Sequence, residues 1–258
     1  MSRYVVKIAF IPLVVSMVCI AVSPGKAMSS ARTVKPFPAA LKNHPYARSF
    51  TPAQLYAWRF PQNEPGGKPC NPSHVKRELR DVSVMTNGKQ GDCGVIQSPH
   101  EYPTANGYVY EARVYFSSMP KSSKFADWNS YWMYGNNWPV DGETDAVETT
   151  FGTQFVTYRY GKGNSTVSTC NRANGCDDKA GPLYPQSPNI RAGWHTVDIA
   201  YGWKRIQIFY DGRSYVSIAG RFVTMKPAWI VFAAGSDSSM DTIGIPGNVK
   251  VAWVRIFT

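Results

Sequence analysis

No stretch of this sequence stays apolar over the roughly 20 residues that a membrane-spanning helix needs. The longest apolar run, Ile8 to Val22, stops at about 15, so no stable membrane association of the finished chain is expected. There is no dense run of Lys or Arg and no nucleic-acid-binding motif, so nucleic acid is not expected as a partner. No segment repeats, and after residue 27 none sustains a 3.6-residue apolar period over four turns, which argues against a helical architecture; only TPAQLYAWRF, from Thr51, offers a short helix. Acids are scarce as well: 17 Asp and Glu stand against 28 Lys and Arg, for a net charge of +11.

What is present begins with a leader. Arg3 and Lys7 precede the apolar run, and Gly25-Lys26-Ala27 supplies small residues at the −3 and −1 positions of a cleavage site. Residues 1–27 therefore read as a secretory signal peptide, and the protein is expected outside the cell. Losing Arg3, Lys7 and Lys26 with the leader takes the charge from +11 to +8. A basic exported protein commonly meets anionic surfaces or polymers, although the same charge also serves solubility.

Cleavage also removes Cys19 and leaves an even set: Cys70, Cys93, Cys170 and Cys176. In an exported chain this suggests disulfides. Cys170 and Cys176 would close a short polar loop, which leaves Cys70 for Cys93. Neither pair has zinc-finger spacing, so no metal site is expected from them.

Residues 28–50 are rich in Ser, Ala, Lys and Pro and read as a linker or loosely packed lead-in. From 51 to 258 the pattern becomes that of one domain. Short runs of Val, Ile, Tyr, Phe and Trp alternate with Gly, Asn, Asp and Pro: GYVYEARVYF, TQFVTYRYG, WHTVDIAYG, KRIQIFYDG, RSYVSIAG, AWIVFAAG and VKVAWVRIF. These are strands. Their number and spacing predict an all-β jelly-roll sandwich of two antiparallel sheets. Asp211-Gly212 supplies the positive φ of a tight hairpin turn.

Against the scarcity of acids, DGETDAVETTFG holds Glu143, Asp145 and Glu148 within six residues. On a strand Glu143 and Asp145 share a face, and on a regular strand Glu148 would point away. A β-bulge at Ala146-Val147 would return it to that face. Three like charges on one face repel, which makes sense if they act on a glycosidic bond: one carboxylate attacks the anomeric carbon and another protonates the leaving oxygen. A calcium site and a plain solvated face are the other readings of the same residues.

The segment resembles the signature of glycoside hydrolase family 16, the jelly-roll enzymes that include laminarinases, lichenases, agarases and carrageenases. CGVIQSP, GYVYEARV, WNSYWMYGNNWPVDGETDAVE, WHTVDIAYGWKRIQIFYDG and VKVAWVRIF each resemble family segments, in order, from about residue 80 to the C-terminus. The resemblance implies Glu143 as nucleophile, Glu148 as acid/base and Asp145 as support for the nucleophile, in the bulged form found in laminarinase-like, agarase-like and carrageenase-like members. It also implies a concave substrate cleft, a polysaccharide substrate, retaining endo-hydrolysis and no required cofactor, while nothing in the sequence demands more than a monomer; some relatives carry a structural calcium, which no pattern here specifies.

Trp138 matches the tryptophan placed under a sugar ring in these enzymes. Trp128 and Trp132 could act likewise or simply pack, and Trp203 is a weaker candidate. His195 reads as structural. Where laminarinase-like members often carry a histidine, TYRYG offers Arg159, which would favour an anionic sugar if it faced the cleft. The acid usual near Ala200 and the asparagine expected near IVFAAG are absent. β-Glucans and galactans therefore both stand as substrate classes, with transglycosylation and non-catalytic carbohydrate binding as alternative activities.

Overall fold

The structure is a computed structural model; it describes residues 47–61, 63–64, 68–89, 91–117, 127–138, 140–150, 153–161, 167–169, 181–182, 192–220, 223–236 and 247–258. The described strands are, in chain order, β1 (Arg48–Phe50), β2 (Asn63–Glu64), β3 (Lys68–Pro69), β4 (Val75–Arg77), β5 (Val82–Thr86), β6 (Cys93–Gln97), β7 (Val109–Phe116), β8 (Asp127–Tyr134) and β9 (Glu143–Thr150). They continue with β10 (Thr153–Gly161), β11 (Val167–Thr169), β12 (Gly181–Pro182), β13 (Gly193–Gly202), β14 (Arg205–Tyr210), β15 (Arg213–Ala219), β16 (Trp229–Ser236) and β17 (Gly247–Phe257). A short helix, α1 (Pro52–Tyr56), begins at Thr51, whose N–H donates to Gln54 Oε1 at 2.9 Å.

Two antiparallel sheets carry the fold. The larger has the order β15-β14-β13-β7-β17-β5-β4, with β1 also paired to β17; the smaller has the order β11-β10-β9-β8-β16-β6, with β12 paired to β10. Strand β7 shows why the sequence folds this way. Its burial alternates residue by residue, so Tyr110, Ala112, Val114 and Phe116 enter the core and the residues between them do not. Period-2 patterning of this kind is what a two-layer sandwich requires.

The core sits between the sheets. Val197, Ile199, Tyr201, Val251 and Val254 reach it from the larger sheet, and Ile96, Tyr131, Met133, Ile230 and Phe232 from the smaller. Tyr131 stacks on Phe232 with centroids 4.7 Å apart. At the hairpin joining β14 to β15, Asp211 and Gly212 have φ of 47° and 77°, the conformation that favours Asp-Gly there.

The lead-in expected to run through residue 50 already contains β1, whose Arg48 pairs with Ile256. Its short alternation gave no strand pattern. The Cys70–Cys93 disulfide is present and closes a segment of 23 residues. Cys170 and Cys176 lie outside the described residues, as do residues 1–46. Converting Cys70 and Cys93 to Ser is expected to cost about 3 kcal/mol, from loop-closure entropy alone. Thermal melts should then fall by roughly 6–12 °C. An unchanged melt would mean that the bridge does not restrict the unfolded chain as loop closure requires.

Candidate active site

Strand β9 lies inside the smaller sheet, with β8 on one side and β10 on the other. Against β8, Tyr131 pairs with Val147 and the next residue, Trp132, pairs with Asp145, so Ala146 is left over. Against β10, the two residues Ala146 and Val147 stand opposite the single residue Val156. This is a β-bulge. Its effect on side chains is direct: Thr144, Ala146 and Val147 are all buried, and Ala146 and Val147 both join the core between the sheets. The Tyr201 hydroxyl donates to Thr144 Oγ1 at 3.2 Å on that inner side. Glu143, Asp145 and Glu148 therefore share the opposite, outer face of the sheet.

Glu143 and Asp145 are buried, and Glu148 is half-buried. The Trp138 Nε1–H donates to Glu143 Oε2, which fixes the orientation of that carboxylate. Trp138 sits on a loop between Gly135 and Gly142 that is tied at several points. Gly135 N–H donates to Gly142 O at 3.1 Å, Asp141 N–H to Asn137 O at 2.9 Å, and Asn137 N–H to Asp141 Oδ2 at 3.0 Å. Asn136 N–H donates to Glu101 Oε1 at 3.0 Å, and the Thr224 hydroxyl donates to Asp141 O.

Gly135 is required by this closeness: a Cβ there would lie 2.4 Å from Asp141 Cβ. Gly135→Ala is therefore expected to push the loop aside, destabilising the fold by about 1–3 kcal/mol. It should also shift tryptophan emission by moving Trp138. A variant with the melt and emission of the parent would show that the loop does not hold Trp138 in place.

Beside the carboxylates the same face is aromatic. Tyr134 pairs with Glu143 and Trp132 with Asp145 across β8, and Trp229 on β16 pairs with Tyr134. Trp132 stacks on Tyr134 at 4.8 Å, and Tyr134 meets Trp229 at 5.2 Å. The Tyr134 hydroxyl donates to Gln97 Oε1 at 2.9 Å. Val95, Val231 and the Cys70–Cys93 disulfide complete the cluster.

The sequence candidates separate here. Trp138 and the three acids are brought together. Trp132 is only 7% exposed and spends its ring on Tyr134, so it packs rather than offering an open platform. Trp128 lies further along β8, in register with Gly235, and Arg159 on β10 is in register with Glu143. His195 is on the larger sheet, where Nδ1 is 2.8 Å from Asp211 Oδ2. Trp203 is 77% exposed, at the turn between β13 and β14 of the larger sheet. Tyr134, Gln97 and Trp229 were missed; alternation along WNSYWMY places Tyr134 with Trp132, but Gln97 and Trp229 join them only through cross-strand register. Among the described residues no group of three or more His, Cys, Asp or Glu is placed to hold a metal ion.

No known family pattern and no curated protein matches the amino-acid sequence itself. Solved structures share the fold. A laminarinase catalytic domain from Thermotoga petrophila, an endo-1,3-β-glucanase, is similar with a TM-score of 0.60 at 16% identity, over 84% of this chain and 98% of that one. A glycoside hydrolase family 16 endo-glucanase from Bacteroides ovatus gives 0.53 at 16% identity, over 78% and 94%. A pseudo β-1,3-glucanase and immunostimulatory antigen of Mycobacterium tuberculosis gives 0.55 at 14% identity, over 78% and 90%. The chain thus has the jelly-roll fold of family 16, and that fold accommodates an enzyme and a pseudo-enzyme alike.

Proposed function

We propose that this chain, built on the family 16 jelly roll, is a secreted retaining endo-β-glycosidase acting on a polysaccharide of the β-glucan or galactan class. The observation that carries the reading is the bulge at Ala146, which sets Glu143, Asp145 and Glu148 on one face beside the aromatic cluster. A fold shared with a pseudo-glucanase makes the residues, not the architecture, the basis for claiming catalysis.

The chemistry divides into two displacements. Glu143, held by the Trp138 N–H, attacks the anomeric carbon while the bond to the leaving oxygen breaks and Glu148 gives that oxygen its proton. The glycosyl ester on Glu143 is then opened by water, which loses a proton to Glu148 as Glu143 leaves. Asp145, between them on the same face, supports the nucleophile and couples the protonation of the set. The half-buried rings of Trp138 and Trp229 give a sugar's C–H face somewhere to pack. A sugar acceptor in place of water would make the same residues a transglycosylase.

The test is reducing-end release by the mature protein from laminarin, lichenan, agarose, carrageenan, chitosan and a uronic polymer. Charged polymers belong in the set because an arginine, Arg159, stands in register with Glu143. Release from one polymer, with oligosaccharides as early products, is the expected result. Binding to one of them without release or transfer would assign the chain to carbohydrate binding instead.

A further inference from the structure

The basic surplus of the chain has no role in the chemistry above, and the outer face of the larger sheet offers it one. Tyr115 on β7 follows the core residue Val114 and precedes Phe116, so it stands on the side away from the core. The register there runs Trp194 to Tyr115, Tyr115 to Lys250, Lys250 to Ser83, and Ser83 to Lys76. One row of side chains thus crosses five strands, β13, β7, β17, β5 and β4, over about 19 Å at ordinary strand spacing.

The row joins aromatic and cationic groups. Trp194 is 37% exposed and meets the edge of Tyr115 with centroids 5.7 Å apart. Lys250 Nζ lies 5.8 Å from the Tyr115 ring centre, and Lys76 is exposed at the far end. One row along, Trp253 pairs with Arg113 and carries the Arg255 guanidinium 4.1 Å over its ring. Carboxylates answer part of this charge: Asp211 lies 4.0 Å from Arg113 and Glu111 lies 3.6 Å from Arg255. Asp81 lies within electrostatic reach of Lys250, which together with Lys76 at the far end forms the cationic part of the row.

We propose that this face binds an acidic polysaccharide, sulfated or uronic, separately from the carboxylate face of the other sheet. The rings of Trp194 and Tyr115 offer stacking surface for sugar C–H groups, and Lys250 and Lys76 meet the anionic substituents of the same strand of polymer. A linear row suits a linear chain. The net charge of +8 that remains without Arg3, Lys7 and Lys26 supplies charge complementarity at longer range.

The test is affinity electrophoresis of the whole protein in gels containing dextran sulfate, polygalacturonate or neutral dextran. Retardation by both acidic polymers and not by neutral dextran is expected. Trp194→Ala, which leaves the charge unchanged, should raise the apparent Kd at least about tenfold, and so should Lys250→Ser. Lys226→Ser, which removes one positive charge at an exposed position just before β16 of the other sheet, should bind as the parent does. Circular dichroism checks that each variant is folded. The proposal is overturned if Trp194→Ala binds like the parent, because charge attraction alone would then explain retention. It is equally overturned by retardation in neutral dextran, by loss of binding in Lys226→Ser, or by retention on a single-stranded oligonucleotide with none on the acidic polymers. None of these readouts depends on turnover, so this result and that for the carboxylate face can fail separately.

Discussion

Replacing Glu143 with glutamine is expected to lower turnover at least about a thousandfold while the fold survives. The magnitude follows from removing the atom that forms the covalent bond: what remains is binding and positioning, and single knockouts of a nucleophile are known to cost that much or more. The substitution keeps the size of the side chain and leaves an amide oxygen where Trp138 Nε1–H now donates to the carboxylate. The melt should therefore move little. Glu148→Gln should cost about 10²–10⁴ on a natural polymer, the range for losing a general acid. It should cost much less in the first step on an aryl glycoside whose leaving group departs without a proton. If Glu143→Gln kept full turnover, the bulged strand would not be the catalytic one.

The second large effect concerns Asp198, far from that chemistry. It pairs with Glu111 on the outer face of the larger sheet and is only 4% exposed. Burial pushes its carboxyl up to about 8, with the neighbouring charges of Glu111 and Asp211 acting in the same direction. Arg255, across from Glu111 on β17, faces that glutamate at 3.6 Å. Between the ordinary value of 3.8 and about 8 the folded chain keeps a proton that the unfolded chain has released. Stability is therefore greatest below that window, falls as pH rises through it, and has lost this contribution above it.

Asp198→Asn keeps the group neutral at every pH and still leaves an N–H to donate towards Glu111. The variant should match the parent near pH 4 and exceed it at pH 9 by on the order of 5 kcal/mol. At roughly 2–4 °C per kcal/mol this is a melt about 10 °C or more higher. Thermal melts of both proteins from pH 4 to 9 check this. Parallel curves would show that Asp198 is ionised in the folded chain throughout.

These two residues illustrate what the sequence does and does not reveal. Glu143 stands out because its spacing to Asp145 and Glu148 departs from strand alternation by one residue, and the bulge at Ala146 absorbs that residue. Asp198, in WHTVDIAYG, reads as one more outward polar position between core residues. Its burial and its acidic neighbour come from β7, which lies more than eighty residues away in the chain but adjacent in the sheet. The same limit hides Trp229 and Gln97, which reach Tyr134 across strands.

The strands themselves are legible wherever alternation is long, as in GYVYEARVYF and VKVAWVRIF, which become β7 and β17. Three-residue β1 is not, because pairing to β17 rather than its own pattern makes it a strand. Trp138 was expected beneath a sugar, and its position before Glu143 was plain. That its N–H would meet Glu143 follows from the closure of the loop between Gly135 and Gly142, a backbone geometry that residue types alone do not dictate. Trp132 shows the converse: a tryptophan near the three acids can be spent on packing when Tyr134 lies beside it.

The most direct test of a double displacement through Glu143 is the configuration of the sugar first released. Proton NMR of the product, recorded within minutes of adding the mature protein to the polymer it cleaves, distinguishes the two anomers before they interconvert. The β-anomer appearing first, with the α-anomer growing in later by mutarotation, is the result that two displacements require. The α-anomer appearing first would mean that water attacks directly, and would contradict Glu143 as a nucleophile.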